Sequence, residues 1–182
     1  DFLQYLVDEV KGLVNASEGG VFLLFTSWAN MKHCCDALRH VFAARFPVYV
    51  QGELPKLEIA RRFKADGNAV LFATKSFWEG VDIPGDALRC VIIDKMPFAA
   101  PSPLFKAREA TSTNPFADIA LPEMIIDLKQ GVGRLVRRST DKGVIAILDS
   151  RIRSKPYGRN IVLKSLPPAK LTHSTAMISE FF

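Results

Sequence analysis

Short apolar runs alternate with amphipathic stretches along most of the chain. Helical spacing of apolar residues predicts helices over residues 30–46, 57–63 and 121–138. Uninterrupted apolar strands separated by helices are typical of a parallel sheet covered on both faces. The pattern therefore predicts an α/β fold, a three-layer sandwich with a mostly parallel central sheet. The predicted strands are Val21–Phe25, Val48–Val50, 69–73, Cys90–Ile93 and 143–148.

Polar residues follow several of these strands directly. Ligands of open parallel sheets bind at the carboxyl ends of the strands. Hydroxyl groups there often donate to nucleic-acid phosphates, although Ser27 is equally suited to capping the next helix. The candidates for this edge are Thr26 and Ser27, then Thr74, Lys75 and Ser76, and finally Asp149, Ser150 and Arg151.

The segment 121–138, LPEMIIDLKQGVGRLVRR, carries the most informative polar pattern. In a helix, Gln130, Arg134 and Arg137 share one face. Gly131 and Gly133 each cost about 1 kcal/mol relative to Ala, which a helix tolerates where another group approaches its backbone closely. Two arginine forks beside a glutamine suit a polyphosphate. The alternative is a solvated basic face.

The segment 70–85, VLFATKSFWEGVDIPG, places acids in a loop after a strand. Glu79 and Asp82 at this edge are suited to holding a ribose hydroxyl or orienting an arginine; alternatively they cap turns. Phe77 and Trp78 are predicted to lie in the core.

Charge and composition narrow the function classes. The chain has 182 residues and a net charge of +5. Ten basic and two acidic residues between positions 129 and 164 give a local balance of +8, which favours polyanionic partners. We expect buried structural thiols, no metal site among the histidines, no membrane span and a cytoplasmic location. The chain contains no GxxxxGK[ST] phosphate loop, so it offers only half of a nucleotide site.

Three segments in this order resemble the second motor domain of a superfamily 2 helicase. FTSW resembles motif IV, LFATKSFWEGVD motif V and QGVGRLVRR motif VI. The stretches WEGVDIPG, KMPFAAPSPLFKAR and DSRIRSKPYGR narrow the resemblance to the DinG/XPD group of DNA helicases, on its bacterial DinG or YoaA branch. The resemblance implies a RecA-like fold and an enzyme that hydrolyses ATP.

The resemblance also implies roles at matching positions. Arg137 is the expected arginine finger, and Arg134 is the second catalytic arginine of motif VI. Gln130, Asp82, Glu79 and Gly133 are expected on the nucleotide side. Ser27 and Thr74, with the adjacent Lys75 and Ser76, are expected at the DNA backbone.

The implied partners are single-stranded DNA and the first motor domain, and the implied process is 5′→3′ movement in DNA repair. The phosphate loop, the Mg²⁺-binding acids and the iron–sulfur cysteines would belong to that first domain, so we expect no ATPase activity from this chain alone. The expected division is a lead-in helix (1–18), a RecA-like domain (19–166) and a C-terminal extension (167–182). Two alternatives are a non-enzymatic RecA-like nucleic-acid-binding module and a stand-alone phosphate-binding α/β enzyme.

Overall fold

A five-stranded parallel sheet organises the computed structural model, which describes residues 1–79, 81, 83, 85–135 and 142–182. The strand order is β2-β3-β1-β4-β5, and each neighbouring pair is parallel. The strands are β1 (Val21–Phe25), β2 (Val48–Val50), β3 (Val70–Thr74), β4 (Cys90–Ile93) and β5 (Val144–Ile147). The predicted α/β fold is confirmed.

Helices cover both faces of this sheet. The long ones are α1 (Phe2–Ala16), α2 (Trp28–Ala43), α3 (Lys56–Asp66) and α6 (Leu121–Val132). The short ones are α4 (Lys75–Trp78), α5 (Pro103–Glu109), α7 (Arg151–Ser154), α8 (Leu163–Ser165) and α9 (Ala176–Ser179). A 3-10 turn at Gly85–Ala87 and π-helical turns at Phe116–Ala120 and Gly158–Val162 complete the described elements. Within the described ranges, none of the helices combines the length and hydropathy that crossing a membrane requires.

Two hydrophobic cores lie on opposite faces of the sheet. Phe22 and Leu24 of β1 pack towards α3 and α6, whereas Val21, Leu23 and Phe25 pack towards α1 and α2. Side chains of a strand point alternately to its two faces. A strand covered on both faces must therefore be apolar throughout, which explains the uninterrupted run of this segment.

The register aligns the carboxyl ends of the strands. Phe25 pairs with Thr74, Leu24 with Ile93, and Ile93 in turn with Ile147. The polar residues that follow β1, β3, β4 and β5 therefore lie along one edge of the sheet. This edge contains most of the candidate site.

The helix predicted over residues 121–138 ends earlier than expected. Helix α6 ends at Val132, and the amide of Gly133 donates to the carbonyl of Lys129 (2.8 Å) as the chain leaves the helix. The two glycines weaken the helix at this point, since glycine has low helix propensity. Residues 133–135 form a turn, and positions 136–141 lie outside the described residues. The short helix α4 lies between β3 and the loop predicted to carry Glu79.

Candidate functional site

Two hydroxyl groups at the carboxyl end of β3 are held by one glutamine. The side-chain oxygen of Gln51 accepts hydrogen bonds from the Thr74 amide (2.7 Å) and hydroxyl (3.1 Å). Its side-chain nitrogen donates to the hydroxyl of Ser76 (2.9 Å), and the two hydroxyls lie 3.2 Å apart. Because Gln51 immediately follows β2, the pairing of β2 with β3 fixes this arrangement. Thr74 is buried, whereas Ser76 is exposed and available to a ligand.

Lys75 points away from this hydroxyl pair. Its ammonium forms an ion pair with Asp127 on α6, and the side chains are 37% and 22% exposed. The ammonium of Lys56 donates to the carbonyl of Ser76. Sequence reasoning grouped Thr74, Lys75 and Ser76 as one set; the structure divides them between a hydroxyl cluster and a link to α6.

At the end of β1, Ser27 caps helix α2. Its hydroxyl accepts from the amide of Asn30 (3.2 Å), which is the capping role weighed from the sequence. Next to it, buried Asp94 accepts from the Thr26 amide (2.8 Å) and the Asn30 side chain (2.8 Å). Burial raises the pKa of the Asp94 carboxyl, although these hydrogen bonds lower it in part. Asp94 thereby fixes the turn that presents Ser27.

Helix α4 is attached to α6 through Trp78. A β-carbon on Gly131 would lie 2.6 Å from Cε3 of the Trp78 indole and closer still to Cζ3, so only glycine allows this contact. The guanidinium of Arg134 donates to the carbonyl of Trp78 (2.8 Å). Both Phe77 and Trp78 are buried, which confirms their predicted core position. The structure therefore brings Arg134 of the segment 121–138 to the segment 70–85.

The remaining described nucleotide-side candidates lie at the surface or at the end of a helix. Gln130 on α6 and Glu79 after α4 are exposed, and Gly133 ends α6. Arg137 and Asp82 lie outside the described residues. That Arg137 lies near Arg134, and Asp82 near Glu79, stays a prediction.

An ion pair closes the edge at β5. Buried Asp149 accepts from the Met96 amide (2.9 Å) and from two nitrogens of Arg151 (2.9 Å and 2.6 Å). Burial acts to raise the pKa of the Asp149 carboxyl, but the bonds from Arg151 and Met96 outweigh it, and the pKa lies below its ordinary value. Arg151, a candidate from its position after the strand, is therefore fixed in orientation.

Sequence reasoning missed Gln51 and Asp94. Each directly follows a predicted apolar strand, so the rule that identified Thr74 and Asp149 applied to them as well. Their importance depends on which strand lies next to which, and the strand order is a tertiary property.

All three cysteines are buried and none is in a disulfide, as predicted for structural thiols. Burial raises the pKa of Cys34 and Cys90 to about 12. These thiols are therefore poor nucleophiles at neutral pH.

Comparison with known families identifies the domain. A family model described as the helicase C-terminal domain matches residues 10–169. The chain belongs to this helicase C-terminal domain family. The match covers Gln51 with the hydroxyl cluster at the end of β3, and the contact between α4 and α6.

Curated relatives lie in the group that the motifs indicated. The domain is 44% identical over 177 residues to the ATP-dependent DNA helicase YoaA of Escherichia coli (strain K12), covering 94% of the chain and 27% of that protein. It is 39% identical to the ATP-dependent helicase DinG of Mycobacterium tuberculosis, covering 88% of the chain and 24% of the relative. A third relative, the 3'-5' exonuclease DinG of Bacillus subtilis (strain 168), is 34% identical, with coverages of 96% and 20%. The domain thus spans about a quarter of the length of the two helicases.

Solved structures agree on the fold. An XPD helicase superposes with a TM-score of 0.72 at 18% identity, over 93% of the domain and 32% of that chain. Domain 2 of the DEAD-box helicase Mss116p, bound to an RNA duplex, superposes with a TM-score of 0.57 at 16% identity, over 99% and 63%. The expected RecA-like fold and the resemblance to DinG, YoaA and XPD-type helicases are confirmed.

Proposed function

We propose that this domain is the second motor domain of an ATP-dependent 5′→3′ DNA helicase that acts in DNA repair. Membership of the helicase C-terminal domain family and the names of the YoaA and DinG relatives support the proposal. The observation that carries it is the bond from Arg134 to the Trp78 carbonyl, because it joins the proposed nucleotide side to the proposed DNA side.

On the nucleotide side, the chain supplies arginines and no phosphate loop. We assign Arg137 as the arginine finger and Arg134 as its partner, with Gln130, Glu79, Asp82 and Gly133 lining the same cleft. An arginine finger stabilises the charge of the phosphoryl-transfer transition state and is worth about 10³–10⁵ in rate. The first motor domain would hold the triphosphate and Mg²⁺, and the iron–sulfur cluster would also belong to it.

On the DNA side, the accessible hydroxyls of Ser27 and Ser76 are suited to donating to backbone phosphates. We assign buried Thr74 to the same surface as the residue that holds Ser76, because its own hydroxyl already donates to Gln51. Gln51 holds the Ser76 hydroxyl, and Asp94 holds the Thr26 amide next to Ser27, before any ligand arrives, so binding costs little ordering of side chains. Contacts to the backbone alone carry no sequence information, which suits a motor that moves along any strand. We assign Lys75 to the same surface when its pair with Asp127 opens.

The decisive experiment is Arg137→Ala in the full-length protein. We expect ATP turnover to fall by about 10³-fold or more while ATP binding is largely retained, because the arginine acts on the transition state. Arg45→Ala is a matched control, since Arg45 is an exposed arginine after α2 that donates to the Asn15 side chain of α1. Near-normal turnover in the Arg137 variant would refute the finger assignment.

A second experiment separates this function from a stand-alone enzyme. We expect the isolated chain to hydrolyse no ATP above background, with or without DNA, because it contains no phosphate loop. DNA-stimulated hydrolysis by this chain alone would contradict the assignment of a half-site.

We retain the proposed division into a lead-in helix, a motor domain and a C-terminal extension.

A further inference from the structure

Three aromatic rings from separate segments meet beside Arg151. We call Phe98, Phe116 and Tyr157 the aromatic platform. The centroids of Phe98 and Phe116 are 5.8 Å apart, and those of Phe116 and Tyr157 are 5.0 Å apart. The guanidinium carbon of Arg151 lies 5.3 Å from the centroid of Phe98. Arg151 follows β5 and Phe98 follows β4, so the platform adjoins the edge that carries Ser27 and Thr74.

The backbone holds the platform in place. A β-carbon on Gly158 would lie 2.5 Å from the carbonyl oxygen of Arg151, so this glycine allows the Tyr157 segment to pack closely against α7. Asp149 fixes the guanidinium of Arg151 by accepting hydrogen bonds from two of its nitrogens. Phe98 and Tyr157 are half-buried against the core, whereas Phe116 is 42% exposed. A rigid base therefore supports one accessible aromatic ring.

The segment that carries Tyr157 is strongly basic. Five basic and no acidic residues occur from position 151 to position 164. Arg153, Lys155 and Arg159 are exposed, and Tyr157 lies between the last two in sequence. An exposed aromatic ring amid cations suits single-stranded nucleic acid, whose bases stack and whose phosphates are anionic. An apolar segment of a protein partner would leave these cations uncompensated.

We propose that the aromatic platform is a stacking site for a base of single-stranded DNA. The DNA strand crosses the carboxyl edge of the sheet from Thr74 to Arg151, and Lys155 and Arg159 neutralise its phosphates. The edge from β3 to β5 comprises three strand spacings, about 14 Å, which is long enough for several nucleotides. This inference rests on the proposed function, because it adds aromatic residues to the DNA surface on which that function places the hydroxyl groups.

The test measures binding of an oligothymidylate to the full-length protein as a function of salt. Phe116→Leu keeps an apolar side chain but removes the aromatic face, and we expect the Kd to rise about 5- to 150-fold with an unchanged salt slope. Phe116→Tyr should bind like the wild type. Phe181→Leu is a matched control, since Phe181 is 48% exposed and lies in the C-terminal segment. Lys155→Gln should instead reduce the salt slope by about 0.7.

An abasic oligonucleotide separates stacking from a general loss of binding. Without bases, the wild type and Phe116→Leu should bind equally; a weaker variant would indicate damaged folding and overturn the proposal. An unchanged Kd of Phe116→Leu for oligothymidylate would also overturn it, while leaving the helicase assignment intact. If the wild type itself bound no single-stranded DNA, the proposed function would fail first.

Discussion

The guanidinium of Arg134 donates a 2.8 Å hydrogen bond to the main-chain carbonyl of Trp78. This contact joins the turn after α6 to the end of α4, while the ring of Trp78 packs on Gly131. The two predicted motif segments are therefore mechanically connected. Under the proposed function, a shift of α4 on DNA binding would displace Arg134 on the proposed nucleotide side.

The contact between Trp78 and Gly131 predicts that Gly131→Ala destabilises the domain. The added methyl group would clash with the indole, and overpacking of this kind costs about 1–3 kcal/mol. Gly12→Ala in helix α1 is the matched control, because a β-carbon there meets Thr175 at an ordinary 3.7 Å. Chemical denaturation checks both; equal stability of the Gly131 variant and the wild type would contradict the packing argument.

The ion pair between Lys75 and Asp127 predicts opposite effects on DNA affinity. Asp127→Asn releases the ammonium, so we expect single-stranded DNA to bind about two- to fivefold more tightly to the full-length protein. Lys75→Gln should weaken binding and reduce its salt dependence. Fluorescence anisotropy at several salt concentrations measures both. If neither variant changed the Kd, Lys75 would serve only to join α4 to α6.

The buried carboxyl of Asp149 predicts stability that is lost in acid. Its native pKa lies below the ordinary value of 3.8, so its stabilisation is present above that pH and disappears as the pH falls through the native pKa. We expect Asp149→Asn to lower the free energy of unfolding by about 1.5–3 kcal/mol at neutral pH. Denaturation at a series of pH values should show this difference shrinking towards acid. A constant difference would rule out a role for the charge.

Asp94 predicts the opposite dependence on pH. Its native pKa lies above 3.8, so the stability linked to this carboxyl is fully present below 3.8 and falls as the pH rises through the native pKa. Relative to Asp94→Asn, we expect the wild type to lose stability between acidic and neutral pH. The same denaturation series measures this change. A wild type that gains stability relative to Asp94→Asn as the pH rises would contradict the raised pKa.

The buried thiols predict slow chemical modification. Cys34 and Cys90 have pKa values of about 12, and burial also raises the pKa of Cys35. We expect the native domain to react with a thiol-specific disulfide reagent at neutral pH only as fast as it unfolds, and the denatured chain to react at once. Rapid labelling of the native domain would show that a cysteine is accessible.

The strands, the approximate positions of helices α2, α3 and α6 and the family follow from linear patterns in the amino-acid sequence. The apolar runs of β1 and β3 exclude a half-exposed sheet, because both faces of such strands must be covered. Helical spacing predicts Arg134 as a site residue, and position directly after a strand predicts Thr74. These properties are local, and a linear pattern records them directly.

How these residues combine depends on the tertiary structure. The order of strands placed Gln51 beside Thr74, and no spacing along the chain encodes that neighbour. The early end of α6 redirected Arg134 to the carbonyl of Trp78, whereas the periodic pattern predicted a continuous helix. Strand pairing and packing join residues that are distant in sequence, so their outcome depends on the whole fold.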